Sequence, residues 1–189
     1  MKKLFFLLIV AFFSTAIFAQ AKWNADLNHS KLTFSVTHLG ISDVDGLFNK
    51  FQASAIADKK DFSDAVFELS VEVTSINTQI EMRDNHLRSA DFFEVEKYAS
   101  MTFKSTSITK VSKDRYKLNG NLTLRGITKP VTMDLWYRGT VVNPATKGPS
   151  ASFAVAGIVK RPDFDFGKDY GTATLGNEVS LKASGLFEK

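Results

Sequence analysis

The stretch "KLTFSVTH", residues 31–38, alternates with period two: Leu32, Phe34, Val36 and His38 fall on one side, Lys31, Thr33, Ser35 and Thr37 on the other. Successive side chains of a β-strand point to opposite faces, so this is a strand with one buried and one solvated face. The same period returns over residues 47–57, with Phe51, Ala53 and Ala55 on one face, and over 65–73, where Phe67, Leu69 and Val71 oppose Glu68, Ser70 and Glu72. Further strands are predicted at 101–108, 115–125, 131–137, 152–159 and 178–187. Turn chemistry separates them: "SKD" around Asp114, "RGITKP" ending at Pro130, "NPATKGPS" and the glycine-rich "GKDYGTATLGN".

Only the segment after Val73 breaks the alternation. Thr78 followed three places later by Glu81 has the spacing of a capping box, ahead of Met82 and Leu87, which predicts one short helix between the third and fourth strands. About eight evenly spaced strands with reversing turns make an all-β fold, and closure into an eight-stranded antiparallel up-and-down β-barrel removes the exposed strand edges. If each strand reverses the last, the connections "HLGISDVDG", the helix segment with "RDNHLRSADFF", "RGITKP" and "KRPDFDFGKDYG" share one end. Function is expected at that mouth.

The chain begins "MKKLFFLLIVAFFSTAIFAQA": two lysines, an apolar run, then small residues at Ala19 and Ala21. This is the pattern of a secretory signal peptide over residues 1–21, cleaved after 19 or 21, leaving a single domain over 22–189. Its loss removes Lys2 and Lys3 and no acidic residue, so the formal charge falls from +4 to +2. A charge so near balance offers no basic field for nucleic acid and no polybasic membrane tether. The absence of cysteine excludes a disulfide framework, thiol catalysis and a lipidated cysteine.

"RDNHLRSADFF", residues 83–93, gathers Arg83, Asp84, His86, Arg88 and Asp91 and is the one stretch that resembles a catalytic site. A hydrolase needs a nucleophile oriented by a base, and a metal centre needs several convergent ligands. The three histidines, His29, His38 and His86, form no helical two-histidine motif, and no nucleophile elbow, phosphate-cradling loop or dinucleotide fingerprint is present. The expectation is a protein that is not an enzyme and has no cofactor or catalytic residue. Phe92 and Phe93 are expected to anchor the segment to the barrel.

The pieces "HSKLTFSVTHLG", "VDGLFNKF", "RDNHLRSADFFEVEKYASMTFKS", "LNGNLTLRGITKPVTMDL", "KRPDFDFG" and "NEVSLKAS" together resemble the YceI family, exported lipocalin-like proteins known as polyisoprenoid-binding. The resemblance implies a lipocalin-like barrel enclosing an elongated apolar tunnel for a long-chain lipid such as a polyprenyl compound. On this reading Phe34, Val36, Phe51, Ala55, Phe67, Leu69, Val71, Met82, Leu87, Phe92, Phe103, Leu122, Met133, Leu135, Phe153, Val155 and Gly157 line the tunnel. His38, Arg83, His86 and Arg125 are its polar groups at the mouth. An eight-stranded barrel is just filled by its own side chains or holds one small ligand, so small inward residues such as Ala53, Ala55, Gly120, Gly157, Ala183 and Gly185 are expected to make room.

The expected function is a periplasmic or secreted binding protein that sequesters or carries a polyisoprenoid, an isoprenoid quinone or a fatty-acid-like lipid. The mouth connections sum to a net charge of −2 by residue count, which favours a neutral head group over a pyrophosphate. The alternatives are an exported stress or scaffold barrel without a specific ligand and, with less support, an enzyme or an outer-membrane barrel, in which the apolar face would meet lipid. A homodimer is left open.

Overall fold

The computed structural model describes residues 21–189; the expected signal peptide lies outside them except for Ala21. The elements are β1 (Ala21–His38), β2 (Ser42–Phe48), β3 (Phe51–Ala57), β4 (Val66–Glu72), β5 (Ile76–Asn77), α1 (Glu81–Arg88), β6 (Ser100–Ser112), β7 (Arg115–Leu124), β8 (Ile127–Val142), β9 (Pro149–Lys160) and β10 (Leu175–Glu188). Every ladder is antiparallel, and β10 pairs with β1 to close the sheet.

The ten segments make eight staves. β1 pairs through Ala21–Asn24 with β3 and through Thr33–His38 with β2, so β2 and β3 occupy one position in the barrel. Residues 47–57 were expected as one strand. The break falls at Asn49 and Lys50, whose amides donate to the backbone carbonyl and Oγ of Ser75 at 3.1 and 3.0 Å instead of to β1. Ser75 ends a 3₁₀ turn (Val73–Ser75) that carries β4 into β5, and β5 pairs with β2. β4 and β5 are therefore likewise one bent stave.

The "RGITKP" turn is shorter than the sequence suggests. Arg125 and Gly126 (φ of 50° and 71°) form a two-residue hairpin in which glycine takes the left-handed position without a Cβ clash, and β8 begins at once with Ile127 opposite Leu124. Pro130 lies inside β8 opposite Asn121, on a stretch that β9 does not reach, so its missing N–H leaves no ladder bond unmade. The helix also starts differently. Its N-cap is Ile80 with no side-chain cap, because Thr78 is bonded to Asp84 and Arg83.

The alternating apolar face points inward. Leu32, Phe67, Val71, Leu118, Leu122, Leu135 and Phe153 are buried, while ion pairs such as Lys104–Glu68 (2.8 Å) and Lys117–Asp134 (2.6 Å) decorate the outside. This is the reverse of a barrel that faces lipid, where the outer face is apolar. No helix of the described residues is long and apolar enough to cross a membrane.

The end opposite the predicted mouth is filled. Phe62, from the β3–β4 connection, lies 5.3 Å from Trp23, 5.1 Å from Tyr137 and 4.8 Å from Phe153 between ring centroids; Phe153 also meets Phe67 and Phe187 at 5.2 and 5.3 Å. Edge-to-face contacts of this kind add about 0.5–1.5 kcal/mol each beyond area burial. This aromatic cluster forms the floor of the barrel.

Candidate functional site

Above the floor the barrel is hollow. An upper chamber of about 240 Å³ and a lower one of about 130 Å³ share the side chains of Phe48, Met101, Leu122 and Leu181, which form a waist between them. The lower chamber is built by strands, with Phe51, Phe67, Leu69, Phe103, Met133, Phe153 and Val155 among its walls. The upper one is built partly by connections: His38 at the end of β1, Arg83, His86 and Leu87 on α1, Phe92 and Phe93 after it, Leu124 at the end of β7, and Arg161, Phe164, Phe166 and Tyr170 between β9 and β10. The four connections expected to share one end do share it.

Glycines keep the lumen open in a way that residue size alone does not show. A methyl group at Gly46, Gly120 or Gly157 would collide with Phe34, Phe103 or Met133. Each large side chain lies flat over a neighbouring glycine instead of reaching across the barrel. The space at the glycines is thus occupied, and the vacancy appears at the centre.

Of the expected tunnel residues, Phe34, Val36, Leu87 and Phe92 line the upper chamber, Phe51, Phe67, Leu69, Phe103, Met133, Phe153 and Val155 the lower, and Leu122 both. Five stand elsewhere. Ala55 and Val71 are fully buried and Leu135 nearly so, packed in the core below or beside the chambers; Gly157 lies beneath Met133. Met82 is 80% exposed, on the solvent side of α1. Sequence reasoning did not select Phe48, Met101 or Leu181 at the waist, nor Arg161, Phe164, Phe166 and Tyr170. The quoted "RPDFDFG" held the signal for part of that set, since alternating aromatics in a connection have no strand face to fill.

The polar groups are held by their elements. Thr78 donates through its N–H and Oγ to Asp84 Oδ1 at 2.8 and 2.6 Å, while Arg83 donates from Nε to Thr78 Oγ1 and from Nη2 to Thr78 O, both at 2.8 Å. This knot fixes α1 against β5 and leaves Arg83 Nη1, at the chamber wall, without a partner among the described residues. His86 Nε2 stands 3.2 Å from Asp91 Oδ2 and 3.1 Å from Tyr170 Oη, linking α1 to the β9–β10 connection. The ring of His38 has no hydrogen-bond partner among the described residues. Arg125 is not on the chamber wall. It clasps the connections from outside, donating to Asp165 O at 2.7 Å and to Glu94 Oε2 at 3.2 Å.

Arg161 is the largest polar side chain buried here, at 4% exposure. Its guanidinium donates to five backbone carbonyls: Gly176 (3.0 Å), Phe166 (3.3 Å), Gly167 (2.6 Å), Tyr170 (2.5 Å) and Leu175 (2.9 Å). Burial holds its pKa below that of a free guanidinium, yet arginine remains cationic at any physiological pH. No acidic side chain lines the upper chamber, where Arg83 keeps a free Nη1 while the charge of Arg161 is turned onto its five carbonyls. The acidic residues behind the expected net charge of the mouth lie off the chamber wall, which is why a whole-loop count misrepresents the site.

No group of three or more His, Asp or Glu side chains among the described residues could hold a metal ion. Both chambers are lined almost wholly by apolar surface; the upper carries the free Nη1 of Arg83 with His38, His86 and Tyr170, and the lower is bordered by Ser30, Lys31, Lys182 and Ser184.

The YceI-like domain family matches residues 23–187. Protein YceI of Salmonella arizonae and that of Salmonella paratyphi B are each 35% identical over 175 residues, covering 93% of this chain and 91% of theirs. Among solved structures, the Campylobacter jejuni YceI protein superposes with a TM-score of 0.73 at 30% identity, covering 81% of this chain and 89% of that one. A polyisoprenoid-binding domain from Saccharophagus degradans superposes with a TM-score of 0.65 at 16% identity, covering 90% of this chain and 99% of its own, and shares the fold. The closed barrel, its α-helix after β5 and these matches over nearly the whole described chain place the protein in one group: it belongs to the YceI-like family.

Proposed function

We propose that this protein is an exported, non-enzymatic carrier that sequesters one long-chain lipid, a polyisoprenoid, an isoprenoid quinone or a fatty-acid-like molecule, in the two chambers. The observation that carries this reading is the pair of adjacent, almost wholly apolar chambers that share Phe48, Met101, Leu122 and Leu181, the upper of which also carries His38, Arg83, His86 and Tyr170. Each buried ligand methylene contributes about 0.8 kcal/mol, so ten outweigh any single neutral hydrogen bond at about 0.5–1.5 kcal/mol. The chain of the ligand governs affinity and the head governs orientation.

The head lies at the upper end, among His38, Arg83 Nη1, His86 and Tyr170. The free Nη1 of Arg83 and the absence of a carboxylate from the wall favour a head that accepts hydrogen bonds, a quinone or amide carbonyl or a carboxylate; the five N–H groups of Arg161 are already taken by backbone carbonyls. The name of the Saccharophagus degradans domain supports a polyisoprenoid among the candidate chains. The leader-like N-terminus supports export to the periplasm or beyond it.

The test is organic extraction of purified protein followed by mass spectrometry. One long-chain lipid per protein molecule is expected, and Arg83→Ala should retain the chain class while weakening selection of the head. An extract free of lipid, with the chambers still open, would leave a scaffold barrel as the better account.

A further inference from the structure

The apolar cargo proposed above has to cross from a bilayer into the barrel, and the two most exposed large apolar side chains bear on where it crosses. Ile41 is 90% exposed and Met82 80%. Ile41 lies in the β1–β2 turn three residues after His38, and Met82 directly precedes Arg83 on α1; His38 and Arg83 both line the upper chamber. Thr174 is exposed and His86 nearly half-exposed at its side chain, yet both line that chamber, so the chamber reaches the surface between them. The β1–β2 turn that carries Leu39 and Ile41 is fastened to Thr174 by the bond from Leu39 N to Thr174 O at 3.0 Å. Met82 lies four residues before His86 on α1, and residues at that spacing share a helix face. Leu39 and Ile80, 57% and 49% exposed, extend the two tips.

We propose that these two tips, Leu39 with Ile41 and Ile80 with Met82, dock the mouth of the barrel on a lipid bilayer, entering its interfacial layer so that the upper chamber opens towards the acyl chains. This rests on the lipid-carrier reading and adds the partner surface to it. The occupant is a zwitterionic bilayer. Residues 39–45 and 79–83 carry Asp43, Asp45 and Glu81 against Arg83, a net charge of −2, so an anionic surface is electrostatically disfavoured. Short apolar tips on a rigid barrel insert without any change of fold, and their attachment is weak and reversible, as a carrier that must leave again requires.

Flotation of lipid-stripped mature protein, residues 22–189, with phosphatidylcholine vesicles tests the proposal. Wild type is expected to float with the vesicles, and Ile41→Asp/Met82→Asp to lose about tenfold or more in partitioning, since two apolar contacts are replaced by charges. The milder Ile41→Ser/Met82→Ser should fall in the same direction, and thermal melting checks that both variants fold. The control is Val141→Asp/Val142→Asp, which alters side chains 65% and 69% exposed at the far end of β8 and should float like wild type.

Replacing part of the phosphatidylcholine with phosphatidylglycerol should reduce flotation. The proposal is overturned if wild type does not float, if the control variant loses as much as the mouth variant, if anionic lipid strengthens flotation, or if the wild type forms a dimer that the mouth variant dissolves, which would make a second copy the partner. Lipid in the organic extract of a protein that fails to float refutes the docking surface alone; flotation of a protein whose extract is empty refutes the cargo alone.

Discussion

The two chambers share a waist and differ in what builds them. The lower chamber is walled by strands and rests on the aromatic floor, where Phe62, Phe153, Phe67, Tyr137 and Phe187 pack ring to ring. The upper chamber is capped by connections whose shape depends on hydrogen bonds from a few polar side chains, Arg161 above all. Below, apolar burial sets both the wall and the stability. Above, backbone carbonyls ordered by a buried cation set the wall, and stability follows only locally. Damage to the two ends should therefore register in different measurements.

The largest effect is expected from Phe153→Ala. Phe153 is 2% exposed and touches four other aromatic rings, so its removal costs about 3–5 kcal/mol, the usual range for a phenylalanine deleted from a packed core. Urea or thermal melting should show this as a global loss. A smaller change than Leu87→Ala at the upper chamber would mean that the floor is less tightly packed than its ring distances indicate.

Arg161→Met should come next, with a different signature. Five carbonyls lose the guanidinium, although Gly167 O keeps the N–H of Tyr170, and a carbonyl left buried without a donor costs about 1–3 kcal/mol; but the β9–β10 connection can lift and let water reach them, which caps the global loss near the same range. Amide exchange should therefore quicken over residues 161–175 while the β-strands stay protected. Uniform acceleration across the barrel would show that the cap and the barrel are one cooperative unit.

The same division decides how much was legible in the sequence. Period-two alternation reports which face of a strand is buried, so the staves, their inward residues and most lower-chamber walls were readable. What escaped depends on partners distant in sequence. Ser75 intercepts the Asn49 and Lys50 amides and splits one expected strand into two; Asp84 and Arg83 take Thr78 away from the capping box it was expected to form. Arg161 had no periodic pattern to mark it, and only the fold shows that five carbonyls converge on it. Gly157 was readable as inward and small, but not that Met133 already lies over it. That last point makes the waist, rather than a glycine already covered, the place to block the tunnel.

Leu181→Trp is the waist variant. Leu181 is half-buried and borders both chambers, so a larger ring there would project into the space between them; Met133 already covers Gly157, its partner across the β9–β10 ladder. Overpacking should cost about 1–3 kcal/mol, and the lower chamber should be cut off from the upper. Mass spectrometry of the extract should then show shorter chains at unchanged head chemistry. Chains of unchanged length would mean that the ligand occupies the upper chamber alone.

The smallest effect expected is electrostatic, and it concerns how the floor is held from outside. Asp61 precedes Phe62; its backbone carbonyl accepts from Tyr116 Oη at 2.6 Å, and its side chain pairs with Lys110 at 2.9 Å. The bond from Lys110, with further bonds from Ser63, brings the Asp61 pKa down from 3.8 to about 2. A carboxylate whose folded pKa lies below its unfolded value contributes stability that is present above the unfolded value and is lost as pH falls through the folded one. The window here runs from 3.8 down to about 2. Because the pair is exposed to solvent and salt screens it, the contribution is small, and Asp61→Asn should lower the melting temperature at neutral pH only slightly. The Tyr116 bond to the backbone survives in that variant, so Phe62 keeps its place in the floor. The gap in melting temperature between wild type and Asp61→Asn should close as the pH is taken down through this window, and it should narrow in high salt at neutral pH. A gap that stays constant from neutral pH to below the window would assign the effect to the turn geometry around Ser63, whose amide donates to Asp61 Oδ1 at 3.2 Å, and would leave the floor dependent on apolar packing alone.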